Sequence, residues 1–279
     1  MDKEKKPGDP RLSEAARSIR EALAEAQDMT KRCLQTLGDQ VGGVYLHGSL
    51  AMGGFNPSAS DIDLLIVLKG RPEREALRRL TQEALDLHGR LPEGRHIEFT
   101  VVEESAMRHF EHPAPCLYHY SAAHRSRYES DPDYVCGDYK DADLAAQAAA
   151  AYERGMALHG LPLRELYPPI PARHYLSSIL HDVSNAEAEI SGSPVYTALN
   201  LCRVLMFLKE SRIASKKEGG EWGLASLPQW QDVIRPLLDV YLGVYTGTPD
   251  DRASISEDRL TAFAREMKER IREAEESAV

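Results

Sequence analysis

The stretch GSLAMGGFNPSASDIDLLIVL, Gly48–Leu68, sets two aspartates one residue apart at the mouth of an apolar run. That run is short, branched and preceded by turn formers, so it reads as a buried strand over Asp61–Leu68. Side chains at i and i+2 of a strand share a face, which points Asp61 and Asp63 the same way and turns Ile62 and Leu64 into the opposite layer. Two carboxylates converging there repel, and they hold either a proton or a divalent cation between them. A hard ion such as Mg²⁺, which keeps water and takes phosphate oxygens as further ligands, fits the pair. An isolated D-x-D is more often a solvated strand end. The neighbours therefore decide.

Upstream, a short strand at Gly43–Leu46 leads into Gly48-Ser49, where backbone amides and a hydroxyl are available to phosphate. Gly53, Gly54 and Pro57 suit a connection whose backbone approaches a ligand closely. Downstream, HIEFTVV (His96–Val102) alternates and is rich in β-branched residues, predicting a third strand with Glu98 on the face opposite Ile97 and Phe99. Alone, Glu98 fits the solvent side of an edge strand. Beside an aspartate pair it is a candidate third ligand or general base.

The remaining periodicities place these strands in an α+β chain. Residues 1–10 read as a disordered tail, and apolar residues recur at helical spacing from Leu12 to Leu37, with Gly38 as a cap. Arg71-Pro72 opens a helix to about His88, with proline in its first turn. Beyond Gly137 the chain turns Ala-rich and helical over 141–159, then LPLRELYPPIP (161–171) punctuates it. Helices are expected at about 172–190, 195–210, 227–243 and 256–275. The resulting division is a domain with a small mixed sheet flanked by helices over 11–158, and an α-helical bundle over 159–279.

Composition narrows the function. A net charge of −10 over 279 residues opposes a sequence-independent grip on nucleic acid and tolerates a polycationic small molecule. The four cysteines are scattered, as free thiols in a reducing compartment are. MDKEKKPGDPR at the start lacks the apolar core of a signal peptide, and no run approaches a membrane span. A cytoplasmic monomer without membrane or nucleic-acid partners is expected.

Gly48-Ser49 followed by Asp61-Ile62-Asp63-Leu64-Leu65 resembles the signature of the nucleotidyltransferase superfamily related to DNA polymerase β. LHGSLAMGGFNPSASDIDLLIV, HIEFTVV and LNLCRVLMFLKESRIASKKEGGEWGL together resemble the aminoglycoside adenylyltransferases that modify streptomycin and spectinomycin, over most of residues 40–245. The resemblance implies ATP as co-substrate and one or two Mg²⁺ ions held by Asp61 and Asp63. It implies phosphate contacts from Gly48 and Ser49, and Glu98 as the base that takes the antibiotic hydroxyl proton. Arg203 on a helix, and Lys216 with Lys217 in a following Gly-rich loop, would reach the triphosphate from the helical domain. As solvated charges at a helix end they would also satisfy the macrodipole.

The acceptor region departs from the family. Streptomycin-modifying members carry a tryptophan after the acidic strand, whereas CLYHYSAAHRSRY offers Tyr118, His119, Tyr120 and His124, and both tryptophans, Trp222 and Trp230, lie late in the chain. In LHDVSNAEAEI, Asp182, Glu187 and Glu189 are the nearest counterparts of the family's drug-contacting acids. Asp182, Glu189 and His119 are the candidate acceptor contacts, and spectinomycin is favoured over streptomycin. Two other readings stay open: a nucleotidyltransferase of the same fold that modifies a protein or RNA, as toxin-like relatives do, and a catalytically silent nucleotide-binding protein.

Overall fold

The computed structural model describes residues 10–244 and 255–278. The expected tail lies outside the described residues except for Pro10, which begins a helix. The N-terminal part runs α1 (Pro10–Leu37), β1 (Val41–His47), α2 (Gly48–Ala51), β2 (Ile62–Leu68), α3 (Arg74–His88), β3 (Ile97–Glu103) and α4 (Glu104–Arg108). It continues through β4 (Ala114–Cys116), β5 (Tyr118–Tyr120), α5 (Arg125–Ser130), β6 (Tyr139–Asp141), α6 (Leu144–Arg154) and β7 (Met156–His159). The rest is helical: α7 (Leu163–Leu166), α8 (Ala172–His181), α9 (Ala186–Glu189), α10 (Pro194–Glu210), α11 (Lys216–Ser226), α12 (Gln231–Tyr241) and α13 (Glu257–Ala278). This is the expected α+β architecture.

The five-stranded sheet has the order β5-β3-β2-β1-β7. It is mixed, because β2 and β3 run parallel while β1–β2, β1–β7 and β3–β5 are antiparallel. The central strand β2 alternates strictly. Ile62, Leu64, Ile66 and Leu68 enter the core shared with α1 and α3 through Met29, Leu77 and Leu80. Leu65 and Val67 turn to the other face and join a core that reaches Leu201, Val233 and Phe263 in the helical region. The helical region is thus packed on the sheet through one continuous core, rather than cored separately. Asp63 shares the Leu65–Val67 face, so the alternation that builds this core also carries a carboxylate to its rim.

Several expected elements differ. The Ala-rich helix stops at Arg154 and the chain then forms β7 on the edge of β1, a strand the helical composition hid. At Gly155 a Cβ would collide with the Ala151 carbonyl, so glycine permits this tight exit. The helix after Pro72 begins only at Arg74, with Arg71-Pro72 outside it. The expected helix over 172–190 is broken after His181, leaving Asp182 at the C-cap of α8. Lys216 and Lys217 are the first residues of α11, not part of a loop. A capping box nucleates this helix: the Glu218 amide donates to Ser215 Oγ (3.2 Å) and the Ser215 amide donates to Glu218 Oε2 (2.8 Å).

Candidate active site

The end of the sheet opens into a cavity of about 570 Å³ roofed by the helical region. Three strands supply its floor. The β1–β2 register sets His47 opposite Asp63, and the β2–β3 register sets Asp63 opposite Glu98. His47, Asp63 and Glu98 therefore stand in a row on one face, with Asp61 one step before β2, and all four line the cavity. Sequence reasoning missed His47, although its place just before Gly48-Ser49, in phase with Tyr45, was the available signal.

Gly48 adopts φ +65°, a left-handed conformation that turns the chain directly over Asp63. The Ser49 backbone N–H faces the Asp63 carboxylate and favours its charged form. The connection back to β2 is bolted to the helical region: Asn56 Nδ2 donates to the Tyr241 carbonyl at 2.7 Å, and the Asn56 amide donates to Ser60 Oγ at 2.9 Å.

The roof is built by α6, α10 and α11. Glycines form the α11 face against α10: a Cβ on Gly219 would meet Arg203 Cγ at 2.7 Å, and one on Gly223 would meet Cys202 Sγ at 2.8 Å. This close approach brings Lys216 to the cavity beside Arg203. Lys216 Nζ lies 4.8 Å from the Tyr196 ring centroid, within cation–π range. Arg203 Nη1 donates to Asn200 Oδ1 at 2.9 Å, while Arg203 Nε is buried with no hydrogen-bond partner among the described residues. Asp143 at the start of α6 and Asp182 at the end of α8 add two acids to the same wall.

Desolvation dominates the electrostatics. It raises Asp63 well above the carboxylate range, with the Glu98 and Asp61 charges adding to it, while Lys216 and the Ser49 amide oppose the shift. Glu98 is pushed up to about 7, first by burial and then by Asp61. Asp61 rises through burial, partly offset by His96 and Lys216. Asp143 reaches about 6 by burial, with Asp182 as the next cause, and Asp182 itself is raised by burial against the pull of Arg203 and Lys216. Burial and the Arg203 charge lower Lys216. His47 is held neutral, at about 4, by burial alone. The site is an acid cluster facing two cations, with its carboxyls holding their protons above the ordinary carboxylate range.

Gly48, Ser49, Asp61, Asp63, Glu98, Asp182, Arg203 and Lys216 all line this one cavity. Two candidate contacts do not. Glu189 is solvent-exposed on the short α9 turn. His119 pairs with Thr100 on the Glu98 face of the sheet, its Nδ1 3.1 Å from Thr100 Oγ1, one strand beyond the lining. Asp143, Tyr196, Asn200 and Tyr241 line the cavity without having been singled out, because no local pattern distinguishes them from surface or core residues.

Residues 28–111 match the nucleotidyltransferase domain, and residues 165–270 match the aminoglycoside adenylyltransferase C-terminal domain. The chain belongs to the aminoglycoside adenylyltransferase family. Among the relatives of this adenylyltransferase is a spectinomycin 9-adenylyltransferase of Campylobacter jejuni, 28% identical over 240 residues, covering 84% of this chain and 89% of the relative. An aminoglycoside (3'') (9) adenylyltransferase of Klebsiella pneumoniae is 27% identical, covering 82% and 86%. The fold matches the crystal structure of an Enterococcus faecalis spectinomycin adenyltransferase with ATP and spectinomycin, with a TM-score of 0.72 at 21% identity, over 87% of this chain and 99% of that one. No helix among the described residues of the adenylyltransferase is long and apolar enough to cross a membrane.

Proposed function

We propose that this adenylyltransferase transfers AMP from ATP to a hydroxyl of an aminocyclitol or aminoglycoside antibiotic, spectinomycin in preference to streptomycin, with Mg²⁺ and with release of pyrophosphate. The observation that carries this reading is one cavity in which Asp61, Asp63 and Glu98 face Lys216 and Arg203. The printed activities of the bacterial relatives support the acceptor class. The absence of a tryptophan after the acidic strand supports spectinomycin.

The donor set suits Mg²⁺. Asp61 and Asp63 are neighbouring carboxylates whose protons are held by burial, in Asp63 also by the Glu98 and Asp61 charges, a penalty that a divalent cation relieves. Among the described residues no three His, Cys, Asp or Glu side chains form a closed metal cage. An ion here would complete its shell with water and phosphate oxygens, as Mg²⁺ prefers. When bound, it supplies charge neutralisation at the triphosphate. Lys216 and Arg203 hold phosphate oxygens from the roof, and Ser49 offers its hydroxyl from the floor.

Glu98 accepts the proton of the acceptor hydroxyl as that oxygen bonds to the α-phosphorus. The bond from the α-phosphorus to the bridging oxygen breaks, and pyrophosphate leaves with its electron pair. A base poised at about 7 is matched to this transfer near neutrality. Asp182 and Asp143 present carboxylates to a cationic acceptor. In this division of labour residues 11–158 carry the chemistry and the Asp143 acceptor contact, residues 159–279 supply the phosphate cations and the Asp182 contact, and the protein works as a monomer in the cytoplasm.

The deciding experiment incubates the protein with ATP, Mg²⁺ and a panel of aminoglycosides and aminocyclitols. Pyrophosphate release together with an AMP mass increment on spectinomycin is expected. Release with none of them, or only with RNA or protein, would overturn the reading.

A further inference from the structure

One buried polar side chain on the cavity floor has no task in the chemistry above. His47 ends β1, is only 7% exposed, and shares the face of Asp63, its partner in the β1–β2 register. It lines the cavity, and its imidazole forms no hydrogen bond with any described residue. His88, buried as well, is fully engaged: its Nδ1 lies 3.1 Å from the Tyr120 hydroxyl and its Nε2 2.8 Å from His96 Nδ1. Nor are the His47 nitrogens sealed inside protein. Among the described residues the enclosed, unpartnered histidine nitrogen is His112 Nδ1 alone, so the His47 ring reaches the cavity space. A polar group withdrawn from bulk water without a protein partner costs free energy unless something in the cavity bonds to it.

The strand order says what that something is. Glu98, Asp63 and His47 stand in a row over β3, β2 and β1, with Asp63 in the middle. Neighbouring strands lie about 4.8 Å apart, so roughly 10 Å separate the ends of the row. In phosphoryl transfer the attacking and leaving oxygens lie roughly in line through phosphorus. With the attacking hydroxyl at Glu98 and the α-phosphorus above Asp63, the departing phosphates extend over β1. His47 and the Gly48-Ser49 turn occupy that end of the floor. Above it α6 presents Ala146, Gln147 and Ala150 to the cavity, and the cations Arg203 and Lys216 come from α10 and α11 instead. An imidazole offers an N–H whether neutral or charged, so donation from His47 does not depend on its titration.

We propose that His47 is a phosphate-binding residue, donating its imidazole N–H to an oxygen of the β- or γ-phosphoryl group that leaves as pyrophosphate. The proposal rests on the reading of this cavity as a nucleotide site with Glu98 as base. A donor on a buried strand is held in place by the sheet before the nucleotide arrives, so little ordering is needed when it binds. Its contact is confined to the part of ATP that leaves, and it touches neither the AMP moiety nor the acceptor.

Two measurements on the full chain test it. Calorimetry with inorganic pyrophosphate in Mg²⁺ should show affinity about 10-fold weaker in His47→Phe, which keeps a ring but has no donor, while AMP binds as in the wild type. His47→Gln, which restores an N–H, should recover most of the loss, and thermal melts should separate these effects from misfolding. In ¹⁵N–¹H spectra the His47 ring signal should shift on adding pyrophosphate to the Mg²⁺-containing wild type and stay in place with AMP. If His47→Phe does not fold, that shift alone decides. An unmoved ring signal, unchanged pyrophosphate affinity in a folded His47→Phe, or an equal loss for AMP would overturn the proposal. Pyrophosphate bound through His47 in a protein that modifies no antibiotic would support this assignment and refute the acceptor reading alone. Antibiotic adenylylation with pyrophosphate affinity unaltered in His47→Phe would refute this assignment alone.

Discussion

Gly48 stands so close to Asp63 that a Cβ atom on it would overlap the Asp63 carboxylate. The same residue sits at φ +65°, where an L side chain costs roughly 1–2 kcal/mol even without the overlap. Gly48→Ala should therefore displace Asp63 and lose activity by at least about 100-fold, a misplacement effect. The melting temperature should fall by only several degrees. Steady-state kinetics beside thermal melts check the contrast, and near-normal activity would show that Asp63 has room to move.

Glu98 lies level with Asp63 across β2 and β3, and its proton is held to about 7 mainly by burial. As a base it must be ionised, so activity of the wild type should rise with pH through a single ionisation near that value. Glu98→Gln should lower kcat by roughly 10³-fold, within the range of general base catalysis, and leave ATP binding intact. Lost nucleotide binding would make Glu98 a ligand instead. The stability linkage runs opposite to the rate. A carboxyl with a raised folded pKa stabilises the fold fully below its unfolded value, and this contribution is lost as pH rises through the folded one. The ligand-free protein should melt lower as pH rises from about 4.5 to about 7 on account of Glu98, and Glu98→Gln should flatten that dependence. Differential scanning calorimetry across this window reads the sign.

Lys216 is placed by α11 against the acid row, where Asp63, Asp182 and Asp61 favour its charge. A charged hydrogen bond to phosphate contributes about 1.5–3 kcal/mol. Lys216→Met should raise the ATP KM about 10- to 100-fold while the acceptor KM changes little. An unchanged ATP KM would remove Lys216 from the nucleotide site.

Asp182 and Glu189 differ in reach, one lining the cavity and the other exposed outside it. Asp182→Asn should weaken a cationic acceptor by about 10-fold or more without altering ATP binding. Glu189→Ala should leave both kinetic constants unchanged. Acceptor titrations at saturating ATP distinguish the two, and equal effects would contradict this placement.

The local chemistry of the floor was legible from the chain itself. Alternation in Ile62–Leu68 and Ile97–Glu103 fixes which face Asp63 and Glu98 occupy, because a strand's period of two follows from its backbone. The acidic D-x-D, the glycine turn before it and the succession of sheet then helices needed no tertiary information. Resemblance then supplied the family. What the tertiary structure decided is long-range. It set His47 in the row with Asp63 and Glu98, brought Asp143 and Asp182 to one wall, and left Glu189 and His119 off the lining. It turned Lys216 from a loop residue into the first residue of a helix pressed onto α10 through glycines. It also hid a strand behind an Ala-rich helix, because β7 exists only by pairing with β1. Contacts between residues distant in sequence depend on how strands pair and helices pack, and a single chain's periodicity carries no record of that choice.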